Sequence, residues 1–274
     1  MKNRIILLLF LILMTALAAG CTPGNGPESS VVLYGVTSAG DDSHGTNTSW
    51  LYEISTTDGT ATAIGDTGYE VKAIAYDPYT RKLYATATSV TGTGFAAPAP
   101  TSTQIIEIDK ETGEGTIISS IYLNLRSLTF NSSGTAVVWS RTGEGTGNLQ
   151  ILDPDTGDTS LLFQFDDAYY QGSLAFNNSD VLYLLNRSSL PYVNTIDMSG
   201  GGRTYMGAVS EESTNWYYNG AFHPQTGKLW SLDINPYYDS TQYRNLLVVD
   251  FDTMTIENTI PTLDYMQAIA FGYR

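Results

Sequence analysis

Five short segments hold most of the side chains that could recognise or transform a ligand. They read G-Y-E-V-K at Gly68–Lys72, Y-L-N-L-R at Tyr122–Arg126, D-A-Y-Y-Q at Asp167–Gln171, N-W-Y-Y-N at Asn215–Asn219 and L-D-Y-M-Q at Leu263–Gln267. The candidate ligand-binding residues are Tyr69, Glu70, Lys72, Asn124, Arg126, Tyr170, Gln171, Trp216, Tyr218, Asn219, Tyr265 and Gln267. Such a mixture suits sugars and other flat polar molecules. The aromatic ring stacks on a C–H face while amides and carboxylates bond hydroxyls. Tyr237, Tyr238 and Tyr243 form a second aromatic group.

Catalysis finds fewer parts. There are two histidines, His44 and His223, and one cysteine, Cys21. A zinc site or a thiol nucleophile is not expected from so few ligands, and there is no G-x-S-x-G elbow for a serine nucleophile. Glu70, Asp166, Asp167, Glu211, Glu212 and Asp264 are the acids near the five segments. They would serve a glycoside hydrolase or lyase, whose chemistry needs two carboxyls about 5–10 Å apart. No cofactor is expected. Ca2+ is the one cation that the oxygens of Asp41-Asp42-Ser43 with Asn47, and of Asp153–Asp158, would suit, although neither follows EF-hand spacing.

The elements that must position these residues are written as a repeat. K-A-I-A-Y-D-P at Lys72–Pro78 returns as R-S-L-T-F-N-S, G-S-L-A-F-N-N, Y-N-G-A-F-H-P and Q-A-I-A-F-G. Aligned on Ala75, Thr129, Ala175, Ala221 and Ala270, the steps are 54, 46, 46 and 49 residues. A unit of that length built from short strands predicts an all-β, five-bladed β-propeller with four-stranded blades. One unit reads as strands over Val71–Tyr76, Lys82–Thr88, Gln104–Asp109 and Gly115–Ser119, parted by turn residues. A second-strand aromatic recurs as Tyr34, Tyr84, Trp139, Tyr183 and Trp230 and is expected in the core. The chain ends are complementary. The first unit, with strands at Val32–Thr37, Trp50–Ser55 and Thr60–Ile64, lacks an inner strand, and Met266–Phe271 supplies one. The ring is therefore expected to close by pairing the two termini, which removes an open sheet edge.

The two faces of such a ring differ. The connections between second and third strands are long: Ser38–Thr48, Ser89–Ser102, Arg141–Gly147, Asn186–Pro191 and Asp233–Arg244. The opposite face has short turns such as Asn131–Gly134, Asn177–Asp180 and Asp153–Gly157. Insertions gathered on one face of a repeat array mark its binding side, and the five aromatic segments open on that same face.

The N-terminus carries an address. Lys2 and Arg4 precede an apolar run from Ile5 to Leu17, shorter than the ~20 residues a spanning helix needs. L-A-A-G-C at Leu17–Cys21 resembles the lipobox of bacterial lipoproteins, with Ala18 where a larger aliphatic residue is usual. The resemblance implies cleavage before Cys21, lipid attachment to its thiol, and a place in the bacterial cell envelope outside the cytoplasm. The expected organisation is a signal peptide over 1–20, a lipidated cysteine and flexible tether over 21–30, and the propeller over 31–274. The formal net charge is −15, and loss of Lys2 and Arg4 takes it to −17. An acidic chain without a Lys/Arg run argues against nucleic acid and leaves the lipid as the membrane contact. A monomer is expected.

D-P-Y-T-R-K-L-Y at Asp77–Tyr84 and H-P-Q-T-G-K-L-W at His223–Trp230, together with I-D-x-x-T-G hairpins, resemble secreted bacterial propellers of the YVTN and NHL-like kind. The resemblance covers Val31–Arg274 and implies the fold. It transfers no active-site residue. The functional expectation is a binding module that recognises a protein or glycan partner through the long-loop face. The alternative is a glycoside hydrolase or lyase with carboxylates at the channel mouth.

Overall fold

Alternating side chains and turn chemistry build every blade in the same way. The computed structural model describes residues 30–39, 44, 46–88, 102–141, 147–165, 172–186, 192–209, 216–234 and 244–274, with backbone alone at 141, 172, 186, 216–218 and 234. Their compact unit is Val31–Arg274. The chain begins with β1 (Val31–Thr37), β2 (Trp50–Ile54) and β3 (Ala61–Asp66). The first blade is β4 (Glu70–Asp77), β5 (Lys82–Thr88), β6 (Thr103–Ile108) and β7 (Gly115–Ile121). The second is β8 (Asn124–Phe130), β9 (Ala136–Arg141), β10 (Gly147–Leu152) and β11 (Thr159–Phe165). The third is β12 (Gly172–Phe176), β13 (Leu182–Asn186), β14 (Tyr192–Ile196) and β15 (Arg203–Ala208). The fourth is β16 (Trp216–Phe222), β17 (Leu229–Ile234), β18 (Arg244–Asp250) and β19 (Thr255–Thr262). The last strand is β20 (Met266–Tyr273).

There are five antiparallel sheets of four strands, and the fifth has the order β20-β1-β2-β3. The two chain ends pair from Val31 opposite Tyr273 to Thr37 opposite Met266. The protein is a five-bladed β-propeller closed by its own termini. β4, β8, β12, β16 and β20 lie side by side around the axis and form the channel wall.

Short polar side chains set the turns. Asp109 accepts from the amides of Glu111 (2.8 Å) and Thr112 (2.9 Å), and Gly113 follows with φ 81°. Ser55 replaces the acid in the closing blade, its hydroxyl accepting from Thr57 N at 3.3 Å. Met254 stands where the repeat expects glycine and still adopts φ 53°. His223 stands where the first three blades have Asp77, Asn131 and Asn177. Its Nδ1 accepts from the amides of Gln225 and Thr226, both at 3.2 Å. The proton of the neutral ring therefore sits on Nε2.

The core is five slabs, one between each pair of neighbouring blades. Each slab sets an inner-strand aromatic against a second-strand aromatic of the preceding blade. Phe130 meets Tyr84 with ring centroids 5.1 Å apart, Phe222 meets Tyr183 at 5.1 Å and Phe271 meets Trp230 at 5.8 Å. Tyr76 shares a slab with Tyr34, and Phe176 with Trp139. Tyr34, Tyr84, Trp139 and Trp230 are buried and Tyr183 is half-buried, so these recurring aromatics are blade-to-blade packing. Burying a large side chain of this kind contributes about 1.5–3 kcal/mol.

Candidate functional site

The residues that reach the channel mouth are selected by a break in strand parity. Val71 and Ile74 both face the slab shared with the closing blade, and Leu125 and Leu128 both face the slab shared with the first blade. Met266 and Ile269 likewise face the fourth blade. Within each pair the step is three residues, where a regular strand would have two. The register shifts at Val71/Ala73, at Leu125/Ser127 and opposite Gln267. β4, β8 and β20 thus each carry a β-bulge, whereas β12 pairs with β13 without a register shift over Gly172–Phe176. The extra residues of the three bulges are Lys72, Arg126 and Gln267, all half-buried. A bulge re-aims one side chain out of the pleat. In the fourth blade the shift lies between Tyr217 and Gly220, so Tyr218 and Asn219 fall within it.

Charge at this mouth is partly self-neutralised. Lys72 Nζ donates to Glu70, whose other carboxylate oxygen accepts from Thr88 Oγ1 at 2.9 Å. Burial pushes the Glu70 carboxyl up, but the Lys72 hydrogen bond and charge, with Thr88, outweigh it and hold the carboxyl below its ordinary value. Among the described residues Arg126 has no carboxylate partner.

The other expected residues divide. Asn124 is half-buried at the start of β8. Tyr69 packs against the slab beneath it, and its carbonyl accepts from Ser49 N at 2.7 Å. The Tyr265 carbonyl accepts from Ser38 N at 2.8 Å, and Tyr265 is held at φ 61°. Asn219 is 5% exposed, and its Oδ1 accepts from Ile269 N at 3.5 Å, so it acts as a strut between inner strands. Ser127 and Ser173 hold the same position and accept from Leu174 N (2.9 Å) and Gly220 N (3.3 Å). Tyr170 and Gln171 lie outside the described residues, as do Cys21, Asp41–Ser43, Asp166, Asp167, Glu211, Glu212, Tyr237, Tyr238 and Tyr243. Trp216 and Tyr218 are described by backbone alone, at the start of β16.

Of the proposed cation ligands, Asp153 uses its Oδ1 to accept the turn amides of Asp155 (3.0 Å) and Thr156 (3.3 Å). Among the described residues no three His, Cys, Asp or Glu side chains gather around one point.

Two features of the long-loop face escaped the sequence reading. Asp233, near the end of β17, is 5% exposed. Burial pushes its carboxyl above the ordinary value, against the opposing pull of Asn245 and the Arg244 charge. Asn245 Nδ2 donates to it at 3.4 Å. The signal was available: Ser231 and Asp233 are alternate polar residues inside an otherwise apolar strand. His44 stacks on Trp50 with centroids 3.8 Å apart and shares a 2.6 Å hydrogen bond with the Tyr52 hydroxyl.

At the opposite mouth, where the inner strands end in short turns, lies a cavity of about 290 Å3. It is lined by the C-terminal halves of the inner strands and the turns after them.

No protein-family model matches the chain, and no curated protein matches it either. Solved structures do. A nidogen chain from a nidogen–laminin complex aligns with TM-score 0.53 at 10% identity, over 89% of this chain and 98% of that one. TolB from Acinetobacter baumannii aligns with TM-score 0.53 at 14% identity, over 87% of this chain and 55% of that one. The chain thus spans about half of that TolB chain. Both likenesses are of fold.

Proposed function

We propose that this protein is an extracytoplasmic binding module, anchored through a lipid on Cys21, that recognises a protein or glycan partner through its long-loop face. The observation that supports the reading is the set of inner-strand bulges at Lys72, Arg126 and Gln267, near the strand ends that face the long connections. A propeller used in this way has a parallel in the nidogen chain, which was solved in a complex with laminin. Glu70 does not suit the role of general acid. A general acid must hold its proton near neutral pH, whereas Glu70 is held as a carboxylate by Lys72.

The test is binding of the full-length protein to arrayed glycans and to purified envelope proteins, repeated with a Lys72→Ala/Arg126→Ala double variant and with Asp155→Ala on the short-turn face. Binding lost in the double variant and kept in Asp155→Ala supports the reading; the reverse pattern overturns it. Measurable glycosidase activity that disappears in Glu70→Gln/Asp264→Asn would favour the hydrolase reading instead.

A further inference from the structure

The cavity at the short-turn mouth has no role in the reading above and is built independently of it. Five aromatic side chains at equivalent repeat positions line it: Tyr76, Phe130, Phe176, Phe222 and Phe271. Each is buried in a slab between blades and leaves 7–9% of its surface exposed. Ring closure makes the site, because each blade contributes one wall. The volume, about 290 Å3, lies near the lower end of the ~300–1,000 Å3 typical of small-molecule sites.

The rim is polar and carries one sign of charge. Ser132, Asn131, Asn177, Asn178 and Asp180 line it, and Asp180 is the one charged residue in the lining. Asp180 sits at φ 57°, where the equivalent turn residues Gly134 and Gly227 have φ 82° and 70°. An L-residue in that region is disfavoured, with Asp and Asn among the few that tolerate it. From there its carboxylate spans to the second blade and accepts from Ser132 N at 2.7 Å and Ser132 Oγ at 2.5 Å. Asn178 spans the other way, donating to the Pro224 carbonyl at 2.7 Å. The carboxylate is therefore fixed at the rim and exposed, with acceptor capacity to spare. Lys110 approaches the Tyr76 ring from outside the lining and is bonded to the Tyr273 carbonyl.

We propose that this mouth is a second binding site, for a small amine carrying an apolar ring or short chain. The apolar body fills the aromatic-lined cavity, and the ammonium head hydrogen-bonds the Asp180 carboxylate. An anionic head would meet that carboxylate with no cation in the lining to offset it.

Benzylamine is the probe, with benzyl alcohol and benzoate as neutral and anionic isosteres, titrated into the full-length protein by ligand-observed NMR. Benzylamine is expected to bind saturably and more tightly than benzyl alcohol, and benzoate not to bind. Asp180→Asn, which keeps an acceptor for Ser132 and tolerates the turn, should weaken benzylamine by about fivefold, the upper range for an exposed charge pair, and leave benzyl alcohol unchanged. Asn178→Trp places a bulky ring on an exposed rim position and should weaken both. Lys72→Ala at the far mouth should change neither, which separates this site from the long-loop reading. No saturable binding of benzylamine, equal binding of benzoate, or indifference to both rim variants would overturn the proposal.

Discussion

Lys110 Nζ donates a 2.6 Å hydrogen bond to the carbonyl of Tyr273, a residue 163 positions away in the chain. The bond ties the hairpin after β6 in the first blade to the end of β20 in the closing blade. Thr262 Oγ1 adds a bond to the Gly59 carbonyl at 3.0 Å between the fourth and closing blades, and Arg274 pairs with Glu53 within the closing blade. The seam is thus held by side chains as well as by the β1–β20 ladder. Burial pushes the Lys110 ammonium below its ordinary pKa, the Arg81 charge acting in the same direction. Lys110→Ala should lower stability by about 1.5–3 kcal/mol, the range for a hydrogen bond involving a charged group. Urea unfolding checks it. An unchanged midpoint would mean that the ladder alone holds the seam.

Deleting Met266–Arg274 removes an inner strand that supplies both flanking slabs, with Ile269 and Phe271 on one side and Ala268 and Ala270 on the other. It also leaves β1 as an open edge. The expected outcome is loss of a cooperative thermal transition by circular dichroism. A truncated chain that melts as sharply as the whole protein would contradict closure.

Ser127→Ala leaves the buried Leu174 amide without its 2.9 Å acceptor. Stranding a buried donor costs about 1–3 kcal/mol. Chemical denaturation should show a loss of that size. Ala73 and Ala268 hold the equivalent positions on β4 and β20 without a hydroxyl.

Arg81 occupies a turn at φ 61°, is exposed, and donates its amide to the Asp77 carbonyl at 2.8 Å. The left-handed region costs an L-residue roughly 1–2 kcal/mol, part of which glycine returns as unfolded-chain entropy. Arg81→Gly should raise stability by about 0.5–1 kcal/mol. A lower melting temperature would show that the Arg81 side chain contributes more than its backbone strain removes.

His223 gives the fold a pH dependence. Burial pushes its pKa below the ordinary 6.5, and protonating Nδ1 would remove the acceptor for two turn amides. The unfolded chain therefore takes up a proton at higher pH than the folded one. The contribution is fully present above about pH 6.5 and falls as pH drops below 6.5 through the folded pKa. His223→Asn keeps a turn acceptor, as Asn131 and Asn177 do in their blades. It should flatten the stability profile over that window, measured as denaturation midpoint against pH.

The repeat phrase by itself determined the blade number, the strand order within a blade and closure by complementary ends. These depend on local alternation and on spacing along the chain, which are written residue by residue. It also placed Tyr84, Trp139 and Trp230 in the core, since one recurring position implies one recurring environment. The bulges were legible in outline too, as apolar pairs three apart such as Val71 and Ile74. Only the closed ring decided what those residues do. Whether a polar side chain at an inner strand binds a ligand or braces a neighbour depends on which strand lies beside it, and that placed Asn219 in the wall as a strut. The cavity at the short-turn mouth was invisible for the same reason: its walls are short stretches from five blades, some fifty positions apart, that meet only when β20 pairs with β1.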